Sequence, residues 1–405
     1  MKRRILKDKR FNVYSLALAL ILIGNICFYK VETLPLYFGL CGAGIVAAFY
    51  EKIVKNHFYL QIKGCICWLS SIYLLFTVYG CFFLRAGSYN WDQILFTYFQ
   101  CVALYFIFFE LLKKPVWNEW LRVPFFMAMV FSLFYLLYEE RNNIIHGGMR
   151  IGDTLSGNVN TVAVCFGMCS MILAASYSIG KKKRDFFLWA LTAVCMLLTG
   201  SKKAVIILGF EFLLFFFYSK NKLWTGIKLI VLGLAILILV LDVEYFYILI
   251  GKRIIDMFKQ LFAGSTELRY SRSTDERMQM ILSGFQVFVN HPLLGGGMKY
   301  FYYMTDFGYE YSHCNYTELL CNFGLAGFAL YYFPFFKNLL YMLKLQSRKH
   351  RGSILAAILV ITMLVLDWAM VSYSDLCIFY IPVIFSFAMA DAIKTERTQI
   401  CYEQA

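Results

Sequence analysis

ELRYSRSTDERMQMILSGFQVFVNHPLLGGG, residues 267–297, is the stretch on which the reading of this chain turns. Arg269, Arg272, Asp275, Glu276 and Arg277 crowd its first half. Met278, Ile281, Leu282, Phe285 and Phe288 then recur at helical spacing. That order predicts an amphipathic helix over about 267–290. Asn290-His291-Pro292 ends it, because proline cannot continue a helix and disfavours helix in the residue before it. Gly295-Gly296-Gly297 lets the backbone take a positive φ or approach another segment closely. The polar character extends over 242–316, with strongly apolar sequence on both sides. A hydrophobic chain carries such an insert where it faces water.

Working outward, the 405 residues are 60% hydrophobic and 16% charged, too apolar for a soluble domain with a surface to cover. Apolar runs recur at about 11–29, 34–50, 65–84, 93–112, 123–138, 159–179, 185–200, 204–218, 223–241, 318–336, 353–371 and 377–391. Their length is near that needed to cross a hydrocarbon core about 30 Å thick. Backbone polar groups in lipid must be satisfied within the segment, so the runs are expected to be helices. The expected fold is an all-α polytopic integral membrane protein of about twelve transmembrane helices. Residues 1–405 form one membrane domain, with the large extracytoplasmic loop 242–316 between spans nine and ten.

The net charge of +14 points to topology, not to nucleic acid. Of the 39 Lys and Arg, 25 fall in alternate loops: the N-terminus from Lys2 to Arg10, about 51–64, about 113–122, Lys181 to Arg184, about 219–222, Lys337 to Arg351, and the tail from Lys394. The positive-inside rule then puts both termini in the cytoplasm and the large loop outside, in the cytoplasmic membrane. That loop carries seven basic and eight acidic residues, so its net charge is small. The first apolar run lacks a clear cleavage site and is expected to be a retained anchor. Nearly all of the 13 cysteines lie in apolar runs, where a thiol is a small hydrophobe, and no metal-pair or disulfide spacing is present.

Four outer places carry residue types suited to chemistry. Arg277 opens the apolar face of the expected helix. Its guanidinium either grips a phosphate by paired hydrogen bonds or snorkels to lipid headgroups, and the residues leave both open. Lys202 and Lys203 follow Thr199-Gly200-Ser201 on the outer side, where the positive-inside rule disfavours them. They are candidates for substrate contact, unless these spans are placed differently and the pair lies in an ordinary inside loop. Arg150 precedes Asn158-Val159-Asn160. Asn158 is expected to cap the next helix, and Asn160 then offers an amide at the membrane mouth. His313 leads into span ten, where an imidazole can act as a base near neutral pH or simply be structural. Asn315 and Glu318, three residues apart, share a helix face. Gly324 and Gly327 fit close helix packing.

In order along the chain these features resemble the O-antigen polymerase and O-antigen ligase superfamily. The family's Gly-Asn-x-Asn segment is similar to Gly157-Asn158-Val159-Asn160 after Arg150. Its Thr-Gly-Ser-Arg element is similar to Thr199-Gly200-Ser201-Lys202. Its arginine in an amphipathic helix, its Pro-Leu-Leu-Gly-x-Gly turn and its histidine-led span start resemble Arg277, Pro292 to Gly297 and Ser312 to Leu320. Its Gly-x-x-Gly resembles Gly324 to Gly327.

The resemblance implies inverting glycan transfer from a polyprenyl-diphosphate donor, without a metal ion, a nucleotide sugar or any other cofactor. It implies that Lys202 and Arg277, with Arg150, hold the diphosphate, and that His313 activates the acceptor hydroxyl. Lys203, Asn160, Asn315 and Glu318 join them as candidate substrate-binding residues. Two departures stand out. Lys202 replaces an arginine, and Cys314 separates His313 from Asn315. The implied partners are a polyprenyl-diphosphate-linked oligosaccharide, membrane lipid and a chain-length regulator. A polymerase of lipid-linked repeat units leads, with a ligase moving finished glycan as the alternative. A transporter would place ionisable residues at mid-span. Here only Glu211 and Asp367 lie well inside apolar runs, where they are expected to pair in the bundle interior.

Overall fold

The computed structural model describes residues 12–56, 63–82, 91–146, 150–252, 255, 272–305, 311–346, 351–374 and 376–404. The basic N-terminus to Arg10, His57, Arg269 and the start of the expected amphipathic helix lie outside them. Among the described residues the chain is helical and holds no strand.

The main helices are α1 (Val13–Cys27), α2 (Leu34–Asn56), α3 (Gly64–Phe82), α4 (Trp91–Leu112), α5 (Trp117–Glu139), α6 (Val159–Gly180) and α7 (Lys183–Leu198). They continue with α8 (Lys202–Tyr218), α9 (Lys222–Asp242), α10 (Arg272–Asn290), α11 (Asn315–Gln346), α12 (Arg351–Leu366) and α13 (Ile381–Gln404). Side-chain caps start several of them: Asn12 accepts from the Ser15 amide at 2.8 Å, Asn158 from Asn160 at 2.9 Å and Asn221 from Trp224 at 3.1 Å.

Each apolar run falls on a helix, but among the described residues seven helices are long and apolar enough to cross a membrane: α2, α4, α5, α6, α9, α11 and α13. The expectation of about twelve spans is thus met only in part, and length is the reason. α1, α7, α8 and α12 have 15, 16, 17 and 16 residues, and α3 counts as an apolar helix only over Gly64–Gly80. At 1.5 Å per residue they reach about 22–26 Å, short of a core of about 30 Å.

α6 is buried along nearly its whole length and forms the centre of the bundle. α9 is almost wholly exposed, as expected of a helix facing lipid. Many of the polar groups inside the bundle pair with one another, as a medium without water favours. Asn25 donates to Gln100 at 2.7 Å, and Gln100 donates to Tyr37 at 2.8 Å. Arg122 meets Asp185 at 3.2 Å. Glu211 accepts from Ser170 and from the Trp189 indole, so its partners are neutral donors rather than a cation.

The loop after α10 locks into α11. Gly324 interrupts that helix with φ 63° and ψ −166°. The break frees backbone groups that the 292–297 segment satisfies. Gly296 donates to the Cys321 carbonyl at 2.9 Å and Gly297 to Asn322 at 3.0 Å. In return Leu325 donates to Pro292 at 2.9 Å and Ala326 to Leu293 at 3.0 Å. Tyr79 of α3 adds a bond to the Leu294 carbonyl at 2.6 Å.

α10 packs through a face other than the one that the apolar spacing suggests. Met280, Ile281 and Val287 are buried, whereas Met278, Leu282 and Phe285 are exposed. Gly284 sets this register, since a Cβ there would come within 2.2 Å of Thr317 on α11. The smallest residue permits the closest approach, and its neighbours on that side become the contact face.

Candidate active site

Five segments meet in one open cavity of about 310 Å³. The start of α6 brings Asn158, Asn160 and Thr161, the start of α8 brings Lys203, and α10 brings Arg277. Tyr311 and His313 come from the segment before α11, and 369–374 after α12 closes the wall. Segments far apart in sequence thus converge at one end of the bundle, and Lys203 stands at the same end as His313.

His313 is held from both sides. The Ser312 amide donates to Glu318 at 2.7 Å, and the Ser312 hydroxyl donates to the Cys314 carbonyl at 3.0 Å. Asn315 then donates its amide to the Asp367 carbonyl at 2.8 Å. Between these ties His313 adopts φ 59°, a left-handed conformation that costs a non-glycine residue on the order of 1–3 kcal/mol. Tyr311 meets its ring edge-on, with centroids 4.6 Å apart. Burial, reinforced by the positive charges of Arg277 and Lys203, pushes the imidazole down to about 4 from 6.5. The ring is therefore neutral near pH 7 and able to accept a proton.

Asn160 lines the cavity with its oxygen already engaged. Oδ1 accepts from Ser201 at 2.8 Å and from Arg150 at 3.3 Å. Two donors on that atom fix the amide's orientation and leave Nδ2 as the group available to the cavity. Arg150 stands behind it, also donating to the Thr199 carbonyl at 2.7 Å, and so ties the Thr199-Gly200-Ser201 turn to the start of α6. The segment carrying Arg150 is in turn clamped by Glu140, which accepts from the Gly152 amide at 2.8 Å and the Thr154 hydroxyl at 2.8 Å. Burial opposes ionisation of Glu140, but these bonds outweigh it and hold the carboxyl below its ordinary range.

Of the candidate residues, the cavity gathers Asn160, Lys203, Arg277 and His313. Lys202, Arg150, Asn315 and Glu318 are not among its lining residues. Asn315 and Glu318 are buried beneath it. The Asn315 side chain donates to Tyr332 at 2.8 Å and accepts from Ser372 at 2.9 Å and Tyr373 at 3.2 Å. It thereby fastens the 369–374 wall to α11. Asp367 joins this knot, accepting from Ser372 at 2.6 Å and Tyr332 at 2.8 Å, again from neutral donors. Tyr311 belongs to the aromatic stretch 300–311, whose rings the sequence suggests for a membrane interface or for stacking on sugars. The 369–374 wall was not picked out by sequence reasoning, and nothing in the sequence marks it. Among the described residues no group of three His, Cys, Asp or Glu stands ready to hold a metal ion.

No curated protein matches the chain. Residues 187–332 match the family model described as O-antigen ligase. The matched segment contains Lys203, Arg277 and His313 and ends in α11, while Arg150 and Asn160 precede it. The match covers about a third of the chain; with the several apolar helices it supports an integral membrane protein similar to the O-antigen ligase and polymerase superfamily.

Proposed function

We propose that the chain is a polysaccharide polymerase that joins polyprenyl-diphosphate-linked oligosaccharide repeat units on the outer face of the cytoplasmic membrane. The observation that carries this reading is the meeting of a neutral imidazole, a guanidinium and an ammonium in one cavity.

The residues divide the chemistry between them. The acceptor sugar hydroxyl loses its proton to His313 as its oxygen attacks the anomeric carbon of the donor. The bond from that carbon to the diphosphate oxygen breaks, and the electron pair leaves with the diphosphate. Arg277 and Lys203 neutralise the charge that develops there, in a site that needs no reorganisation as the charge grows. A single displacement inverts the anomeric centre. Nδ2 of Asn160 donates to a sugar or phosphate oxygen. Arg150, Asn315 and Glu318 hold the parts in place, and Lys202 adds positive charge beside Lys203.

The same two cations tune the base. Burial chiefly, and these two charges in addition, keep His313 from taking a proton. A bound diphosphate offsets them and raises the imidazole toward its ordinary value, so donor binding strengthens the base that acts next.

The test is the glycan size distribution in a deletion strain complemented with the native chain, His313→Ala or Arg277→Ala, with membrane levels matched. Single lipid-linked repeat units in both variants support the polymerase. Long lipid-linked polymer that never reaches its final acceptor supports the ligase reading instead. Normal polymer in both variants sinks the site assignment.

A further inference from the structure

A second cavity, of about 570 Å³, lies at the opposite end of the bundle. α12 relates the two: Arg351 at its start lines this cavity, and the segment just beyond its end lines the His313 cavity. Its 16 residues separate them by about 24 Å. The second cavity is therefore no part of the site described above.

Its walls join two kinds of surface. Lys113, Lys114 and Arg351 supply positive charge, and Trp117, Met389 and Ile393 supply an apolar floor. Two acids also line it, Glu110 and Glu396. Glu110 is already bound by Lys52 at 2.9 Å and by Lys113 at 3.4 Å. Among the described residues neither Lys114 nor Arg351 is paired with a carboxylate, and Lys114 rests over the Trp120 ring at 5.6 Å. Lys181, at the end of α6, is held below its ordinary range by burial and by Arg351, so a further cation crowds the same place. α5 and α12 both begin at the cavity, and the residue before α5 provides no side-chain cap. Two positive helix ends thus add to the side-chain charge. Cations in excess of the acids above an apolar floor, at the end of a membrane bundle, match one chemistry: a phosphate with hydrocarbon attached.

We propose that this cavity is a binding site for an anionic phospholipid, with the headgroup phosphate between Lys114 and Arg351 and the first acyl carbons over Trp117, Met389 and Ile393. The lipid bridges α4, α5, α12 and α13 and stabilises that end of the bundle.

The full chain, purified in a neutral detergent, tests this in two ways. Phosphatidylglycerol added as mixed micelles is expected to raise the thermal midpoint of the native chain by several degrees. The double variant Lys114→Gln with Arg351→Gln should lose most of that shift, and phosphatidylcholine should produce little in either protein. Equal shifts in native and variant chains, or no shift, overturn the proposal. So does an equal shift from millimolar inorganic phosphate, which would mark a soluble-anion site. The second measurement does not depend on the charge variants folding. Brominated phosphatidylglycerol should quench a saturable part of the tryptophan fluorescence, and Trp117→Phe should remove that part. Quenching that is unchanged in Trp117→Phe also overturns the proposal.

Discussion

Gly295 and Gly324 sit back to back across the break in α11. A Cβ on Gly295 would stand 2.4 Å from the backbone of Asn322, and one on Gly324 would stand 2.4 Å from the backbone of Leu293. Both have positive φ, 73° and 63°. Two sequence motifs that look separate are one structural joint, and its backbone bonds position α10, and hence Arg277, against α11.

The joint gives the first prediction. Gly324→Ala or Gly295→Ala meets strain and a backbone clash together, and should destabilise by about 2 kcal/mol or more. Gly209→Ala, where a Cβ meets nothing within 4 Å, should be neutral or mildly stabilising. Thermal midpoints of the three variants in one detergent check the contrast. Equal midpoints would mean that the joint does not hold the fold.

Removing the base should abolish transfer without harming the fold. His313→Ala is expected to lower the rate of glycan transfer about 10²–10⁴-fold, the usual worth of a positioned general base. Membrane abundance should be unchanged. A rate within a few-fold of native would exclude His313 from the chemistry.

Arg277 and Lys203 should act on the diphosphate with unequal tolerance. Arg277→Gln is expected to cost about 10²–10³ in kcat/KM, as for other fixed groups that stabilise developing charge. Arg277→Lys should recover only part of this, because lysine lacks the planar fork. Lys203→Gln should cost less, and more at pH 5 than at pH 8. Donor-concentration series with a synthetic lipid-linked repeat unit supply the numbers.

The His313 shift carries a sign for stability. Its pKa falls from 6.5 to about 4 on folding. Between those values the unfolded chain binds more protons than the folded one, so stability rises with pH across that window and levels off above it. His313→Gln should flatten this part of the stability curve. Arg277→Gln should raise the imidazole and narrow the window from below, which imidazole titration by NMR reads directly. A His313 that titrates near 6.5 in the native chain would refute the environment described.

Asn315 predicts a packing defect with a catalytic consequence. Asn315→Leu leaves the amides of Ser372 and Tyr373 without their acceptor, at about 1–3 kcal/mol for each buried group. The 369–374 wall should loosen, lowering both the midpoint and the transfer rate. A normal midpoint with lost activity would instead place Asn315 in direct contact with substrate.

Much of this was legible in the residues, for reasons of range. Whether a run of apolar residues forms a helix, and whether Asn158 caps one, depends on neighbours a few positions away, so composition and spacing determined the helices and their order. Arg277, Lys203, Asn160 and His313 stood out because charge and amide groups are costly beside apolar sequence. What tertiary structure decided depends on contacts between distant segments. Asn315 and Glu318 lie on a predictable helix face, but only the packing of 369–374 shows that they are buried beneath the cavity. The apolar pattern of α10 allowed two contact faces, and the close approach at Gly284 to Thr317 selected one. Gly324 read as a packing glycine, yet it breaks α11, because the 292–297 backbone arrives there to take up the bonds the helix gives up.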